Sequence, residues 1–280
     1  MTAPAPTVSA ELRDLLRRVK LGKLLDTLPE RLALAKTNGL AHSEFPELIL
    51  ADEVTRRDTS SATLRARTAG LDPTMTMDRW DPTTAVTYDQ QTWTELGSLR
   101  FIDNAHNVVI MGPVGVGKTF LATALGHAAI RRRYRVHFER TDTMLRRLKA
   151  SPLDNSHDTE VRKLLRVDLL ILDDFALCAL DAIDTAEVYE LIVERHRRAA
   201  TIVTSNRDPI EWLALMADPL LAQSAIDRLQ SAAHELVLEG DSYRRRQKPG
   251  LTPPTTPNPT DIDDALDHPP RQPPSSPRRR

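Results

Sequence analysis

The chain has 280 residues, 40% hydrophobic and 28% charged, the balance of a globular protein with room for one large or two modest domains. Its formal net charge of -1 excludes global basicity as a signal for nucleic acid, so any such surface has to be a local patch. The single cysteine, Cys178, excludes an intramolecular disulfide framework and a cysteine-based metal site. The opening MTAPAPTVSA lacks the charged-then-apolar order of a signal segment, and no run is long enough to span a membrane. A cytoplasmic location is expected, with no membrane partner.

Residues 1–8, rich in Pro, Ala and Thr, are expected to be disordered. From Ser9 to Lys36, residues such as Leu12, Leu15, Leu16, Val19, Leu24, Leu25 and Leu28 mostly recur at helical spacing, with Gly22 and Pro29 dividing the stretch. A second helix is predicted after Ser43 as N-cap, with Phe45, Leu48, Ile49 and Leu50 inside, running past Arg56 and Arg57 towards Arg67. Together they form a small all-α module over residues 9–70. Arg56, Arg57, Arg65 and Arg67 either grip DNA phosphates or form a solvated helix face. Residues 71–92 read as a linker with Asp-Pro turns, in which Trp80 and Tyr88 approach a nucleotide base or, in the reading favoured here, dock the linker. Trp93 to Ile102 is predicted as one helix.

Val108-Val109-Ile110-Met111 is a short apolar run, as in a buried parallel strand. It passes directly into Gly112-Pro113-Val114-Gly115-Val116-Gly117-Lys118-Thr119, the G-x-x-x-x-G-K-[ST] phosphate loop, and on to Phe120. Glycines let such a loop turn its backbone N–H groups inward onto phosphates, Lys118 supplies a mobile positive charge, and the Thr119 hydroxyl is a Mg²⁺ ligand. The helix from about Thr119 to Tyr134 aims its positive end at the same anions. ATP and Mg²⁺ are therefore the expected cofactors.

Arg135 to Glu139 reads as the next strand. Thr141 or Asp142 is predicted to cap a helix carrying Arg146, Arg147 and Lys149, and a polar break over 151–157 follows. In Asp168-Leu169-Leu170-Ile171-Leu172-Asp173-Asp174 an apolar strand delivers acids at its carboxyl end: Asp173 for Mg²⁺, Asp174 to orient or activate water. A helix is predicted from Asp184, with Glu187 completing a capping box. Ala200 to Thr204 forms a strand that ends in Ser205-Asn206, where an amide reaches the attacking water or acts as an ordinary turn former. Asp208-Pro209 and Asp218-Pro219 each start a helix, the second containing Arg228, and His234 to Leu238 is a last strand. Residues 247–280 are a proline-rich tail expected to be disordered.

The set GPVGVGKT (112–119), LLILDD (169–174), TSN (204–206), AIDRL (225–229) and GDSYRRR (240–246) resembles the AAA+ ATPases of the DnaC/IstB type. The stretches over 28–58 and 96–119 are similar more particularly to IstB-like transposition helper proteins. The resemblance implies a three-layer α/β sandwich over residues 93–246, with a five-stranded parallel sheet that holds ATP at its carboxyl edge. It implies homo-oligomers in which an arginine from one subunit completes the next site, and Arg228 matches that position. Asn206 matches the sensor-1 position, and the helix of Arg146, Arg147 and Lys149 falls where nucleic-acid contacts occur. Two departures stand out. The second acid is Asp174 where Glu is usual, which predicts slow hydrolysis, and too few residues follow Gly240 for a full helical lid or a firm sensor-2 role for Arg244. The implied function is an ATPase that assembles on duplex DNA, largely independent of sequence, and recruits or activates a cognate transposase. A replicative helicase loader is the first alternative. A small-molecule kinase and a non-hydrolysing scaffold stand behind it.

Overall fold

The computed structural model describes residues 8–80, 86–151 and 156–242. Arg244 and the proline-rich tail lie outside the described residues. The chain opens with α1 (Ala10–Arg18), a 3₁₀ turn over Gly22–Asp26, α2 (Leu28–Asn38) and the 25-residue α3 (Glu44–Thr68). Ser9 starts α1 as expected, its hydroxyl accepting the Leu12 N–H at 3.2 Å. Ser43 does not cap α3. Its backbone is already helical, and the Glu44 carboxylate instead accepts the Ala41 N–H at 2.8 Å. Leu50 is exposed rather than inside, because the helices before it bury little beyond Leu24 and Leu28. The last turns of α3 pack elsewhere: Ala66 and Ala69 enter the main core, and Arg65 Nη2 donates to the Ile130 carbonyl at 3.0 Å.

The linker contributes β1 (Val86–Thr87), and α4 (Gln90–Gly97) and α5 (Arg100–Asp103) follow. These replace the single helix expected over 93–102. Asp89 caps α4 early by accepting the Gln91 and Thr92 N–H groups, and the chain turns at Leu99, whose φ is 63°. The turn brings Leu96, Leu99, Phe101 and Ile102 into one core, which a straight helix cannot do.

The remaining chain alternates strand and helix: β2 (Asn107–Met111), α6 (Lys118–Arg131), β3 (Val136–Arg140), α7 (Thr141–Ala150), α8 (His157–Leu165), β4 (Leu169–Asp173), α9 (Ala182–Arg195), β5 (Ala200–Ser205), α10 (Pro209–Trp212), α11 (Pro219–Gln230), β6 (Ala233–Val237) and β7 (Glu239–Gly240). α8 was not expected from the sequence. At the start of α7 neither Thr141 nor Asp142 caps, and the Thr141 hydroxyl donates to the Asp173 carbonyl instead. α9 begins before Asp184 because Asp181 accepts the Ile183 and Asp184 N–H groups, and Glu187 hydrogen-bonds His157 rather than closing a capping box.

Five strands form a parallel sheet in the order β3-β4-β5-β2-β6, while β1 and β7 pair antiparallel beside it. Side chains alternate across the sheet. Val108, Ile110, Leu169, Ile171 and Ile202 pack with α6 and the α4–α5 turn, and Val109, Leu170, Leu172 and Val203 pack under α7, α8, α9 and α11. The result is the expected three-layer sandwich. Among the described residues no helix is long and apolar enough to cross a membrane.

Candidate nucleotide site

Because all five strands run parallel, every β→α turn falls at the carboxyl edge of the sheet. The loop from Gly112 to Gly117 lies there, between β2 and α6. Two glycines are demanded by geometry. Gly112 has φ 143°, and a Cβ on it would lie 2.2 Å from the Leu238 carbonyl oxygen. Gly117 has φ 105°, and its Cβ would meet the Trp80 ring at 2.8 Å. No side chain caps α6, so its first N–H groups face the loop as an anion site. Lys118 is buried, and its ammonium donates to the Gly112 and Pro113 carbonyls at 2.8 and 2.7 Å. A phosphate oxygen offers that ammonium a stronger, charge-assisted acceptor.

Beneath the loop, Thr119 donates its hydroxyl to Asp173 Oδ1 at 2.9 Å, and Thr204 donates to the same oxygen at 2.6 Å. Thr204 also accepts the Asp174 N–H at 3.1 Å, so one β5 hydroxyl places both acids. Burial pushes the Asp173 carboxyl above its usual range, with the Thr204 and Thr119 hydrogen bonds opposing the shift. Asp174 sits in the left-handed region at φ 53°, an uncommon place for a non-glycine residue, and its carboxylate lies 3.7 Å from Arg140 Nε. Asn206 borders the same cavity from the end of β5. The cavity is about 720 Å³, and Thr74, Met75, Arg79 and Trp80 of the linker form one wall. Trp80 docks the linker, the reading favoured for it, and also lines the cavity. Its indole N–H is tied to the Tyr88 hydroxyl at 2.9 Å, its ring packs against Phe120, and it faces the cavity.

The phosphate-loop residues, Thr119, Asp173, Asp174 and Asn206 thus come together. Arg228 does not join them. Its guanidinium is held by the Ser224 carbonyl and hydroxyl, beside a separate groove with exposed Ile210 and Leu220. Most of the DNA candidates are committed to carboxylates. Arg56 and Arg57 both clamp Glu53 at 2.8 and 2.6 Å; the Arg56 hydrogen bond is the main reason its carboxyl is held down at about 2. Arg147 pairs with Glu139 at 2.6 Å and with Glu160, and Lys149 pairs with Asp181 and Asp184 at 2.8 Å. Burial alone would raise Glu139, but its hydrogen bonds from His137 and Arg147 outweigh burial and hold it at about 2. Of the three basic residues on α7, Arg146 is the exposed one, with Asp142 as its ion-pair partner at 3.5 Å. Sequence reading missed Arg79, Arg140 and Thr204. Thr204 alone had a signal, a hydroxyl two residues before Asn206 on a strand next to β4.

The donor set suits the expected cofactors. The Thr119 hydroxyl and Asp173 carboxylate are hard oxygen ligands, as Mg²⁺ requires, and the loop with the bare α6 terminus suits a polyphosphate. A parallel sheet with this strand order, a phosphate loop after β2 and paired acids closing β4 define a P-loop nucleotide-binding domain of the AAA+ class. The chain belongs to the family of IstB-like ATP binding proteins, whose family model matches residues 14–250. It is 38% identical over 242 residues to the ATP-binding protein of an insertion sequence in Mycobacterium tuberculosis, covering 86% of this chain and 96% of that relative. It is 31% identical over 238 residues to the insertion sequence IS21 ATP-binding protein of Pseudomonas aeruginosa, covering 85% and 90%. Among solved structures, the replication initiator DnaA bound to AMPPCP and single-stranded DNA superposes with a TM-score of 0.51 at 22% identity, over 61% of this chain and 51% of that one. That likeness bears on the fold.

Proposed function

We propose that the protein is the ATP-hydrolysing helper of a transposable element, assembling on duplex DNA with ATP and recruiting or activating the element's transposase there. The observation that carries the reading is the Thr119–Asp173–Thr204 cluster beneath the phosphate loop, in a chain whose relatives are named insertion-sequence ATP-binding proteins. ATP supplies the phosphoryl group and Mg²⁺ would neutralise its oxygens, held by Thr119 and Asp173. Among the described residues no group of three or more His, Cys, Asp or Glu could hold a metal, so phosphate and water oxygens would complete the shell.

Lys118 and the α6 terminus bind phosphate. Thr204 holds Asp173 and Asp174 in register, Asp174 and Asn206 orient the attacking water, and Arg140, 3.7 Å from the Asp174 carboxylate, helps to aim it. Asp174 reaches less far than the longer acid usual in this class, which makes turnover slow. Arg228 acts in trans, its guanidinium offsetting charge on the transferred phosphoryl of a neighbouring copy.

Two experiments test this. Asp174→Asn should leave ATP affinity unchanged and slow phosphate release by about tenfold or more; wild-type turnover in that variant would remove Asp174 from its role. Electron microscopy on duplex DNA with ATP, ADP or no nucleotide should show ATP-dependent assemblies that disappear in Arg228→Ala. If no nucleotide state assembles on duplex DNA, the helper reading fails and single-stranded DNA with a helicase is the next substrate.

A further inference from the structure

The same topology that gathers phosphate-binding groups at one edge gathers every α→β turn at the other, and three of those turns carry arginines. The turn before β3 carries Arg132, Arg133 and Arg135. The turn before β4 carries Arg166, and the turn before β5 carries Arg197 and Arg198. All six are exposed. Four of them border two depressions at this edge. Arg135, Arg166 and Arg198 line a shared depression with the buried Arg195, and Arg197 lines the next one with His106 and His234.

Helix macrodipoles account for part of this, since cations suit helix carboxyl ends, but that effect fades within the last turn. Arg133, Arg135, Arg197 and Arg198 lie beyond the helices that precede them. Two of the arginines also occupy positions that favour glycine: Arg133 has φ 68° and Arg197 has φ 56°. A left-handed backbone is unfavourable locally for any side chain with a Cβ, so glycine at these two positions would relieve it. Three of the six meet carboxylates: Arg133 with Asp58 at 2.9 Å, Arg135 with Asp168 at 2.5 Å and Arg198 with Glu194 at 2.8 Å. These guanidiniums are well exposed, where ion pairs are weak and exchange readily for a phosphate. Neither Arg166 nor Arg197 has an ion-pair partner among the described residues.

We propose that this amino edge of the sheet is a docking surface for the phosphate backbone of duplex DNA, opposite the nucleotide pocket. It rests on the DNA-binding reading above and moves the contact away from Arg56, Arg57, Arg147 and Lys149. Spacing favours a duplex. Strands β3, β4 and β5 lie side by side, so the arginine-bearing turns span about 10 Å at about 4.8 Å per strand. Duplex DNA presents a charge about every 1.7 Å along its axis, and planar guanidiniums match phosphate oxygens. Phosphate contacts carry no base information, which fits the largely sequence-independent binding proposed above.

The test is anisotropy of a labelled duplex of about 30 base pairs, with full-length protein, ATP and Mg²⁺ over a salt series. Wild type is compared with the double variant Arg166→Ala/Arg197→Gly and with Arg146→Ala. Glycine relieves the backbone at 197, so the double variant should melt no lower than wild type and bind ATP normally. Its DNA affinity should fall about tenfold or more, and its log–log salt slope should become shallower by about two. Wild-type affinity and slope in the double variant would overturn the edge proposal and leave the DNA-binding reading intact. If wild type itself ignores duplex at low salt, both fall. Equal binding of labelled polyglutamate, lost in the same double variant, would overturn the proposal in favour of an acidic protein surface.

Discussion

At the carboxyl edge of the sheet, the side chains that matter come from runs of consecutive residues: the phosphate loop, Asp173-Asp174, and Thr204 to Asn206. At the amino edge they come one to three at a time from turns far apart in the chain. The two edges also differ in how they hold charge. Asp173 is buried and hydrogen-bonded by two threonines, whereas the arginines opposite stand in solvent. Helix amino ends face the first edge and helix carboxyl ends the second, so backbone dipoles already favour anions at one and cations at the other. A motif-sized signal therefore accompanies a site that must hold one ligand rigidly. A dispersed one accompanies the surface proposed to meet a polymer.

The largest effect expected from breaking this contrast is at the loop. Lys118→Ala should weaken ATP binding about 100-fold, about 3 kcal/mol, by removing a charge-assisted donor, and titration calorimetry would show it. At the other edge, Arg195 separates support from surface. Burial lowers its guanidinium to about 10, and it donates to Thr201 and to the Leu164, Val167 and Ala200 carbonyls. Arg195→Met should cost about 2–3 kcal/mol in a denaturant melt while ATP binding by the folded fraction is unchanged.

A smaller effect is expected at Glu139, in β3. Its folded value of about 2 lies below the ordinary 4.5, so its contribution is complete above pH 5 and is lost as pH falls from 4.5 towards 2. Glu139→Gln should be less stable than wild type by about 1–2 kcal/mol at pH 7, and the gap should narrow on acidification. A gap independent of pH would assign the loss to packing. The smallest effect is expected for Arg146→Ala, which should leave the melting temperature unchanged and reduce duplex affinity less than Arg166→Ala/Arg197→Gly. The reverse order would place the DNA contact on α7.

Much of the nucleotide site was legible because its chemistry restricts residue types at fixed spacing. Gly112 and Gly117 are required by backbone geometry, Lys118 and Thr119 stand at the fixed spacing of the phosphate-loop pattern, and Asp173 closes the apolar run of β4. Capping was less legible. Ser43, Thr141 and Asp184 all have cap-like side chains, yet Glu44 and Asp181 provide the local hydrogen bonds at the first and third, and Thr141 is drawn to Asp173. Glu53, three and four residues before Arg56 and Arg57 on one helix, was a legible partner for both, whereas Glu139 and Glu160 could not be placed beside Arg147 from the sequence.

The sequence by itself determined the strand–loop–helix of the phosphate-loop pattern, the acids of β4, the amide after β5 and the alternation of strand and helix. Each of these depends on neighbours in the chain, through periodicity, glycine conformation or hydrophobic runs. Only the tertiary structure decided that Thr204 holds both acids, that the linker walls the nucleotide cavity with Trp80, and that Arg228 stands apart from its own site. It alone brought turns before three different strands into a single cationic edge. Those relations depend on strand order and on which helix end faces which way, and neither is written into any one stretch of residues.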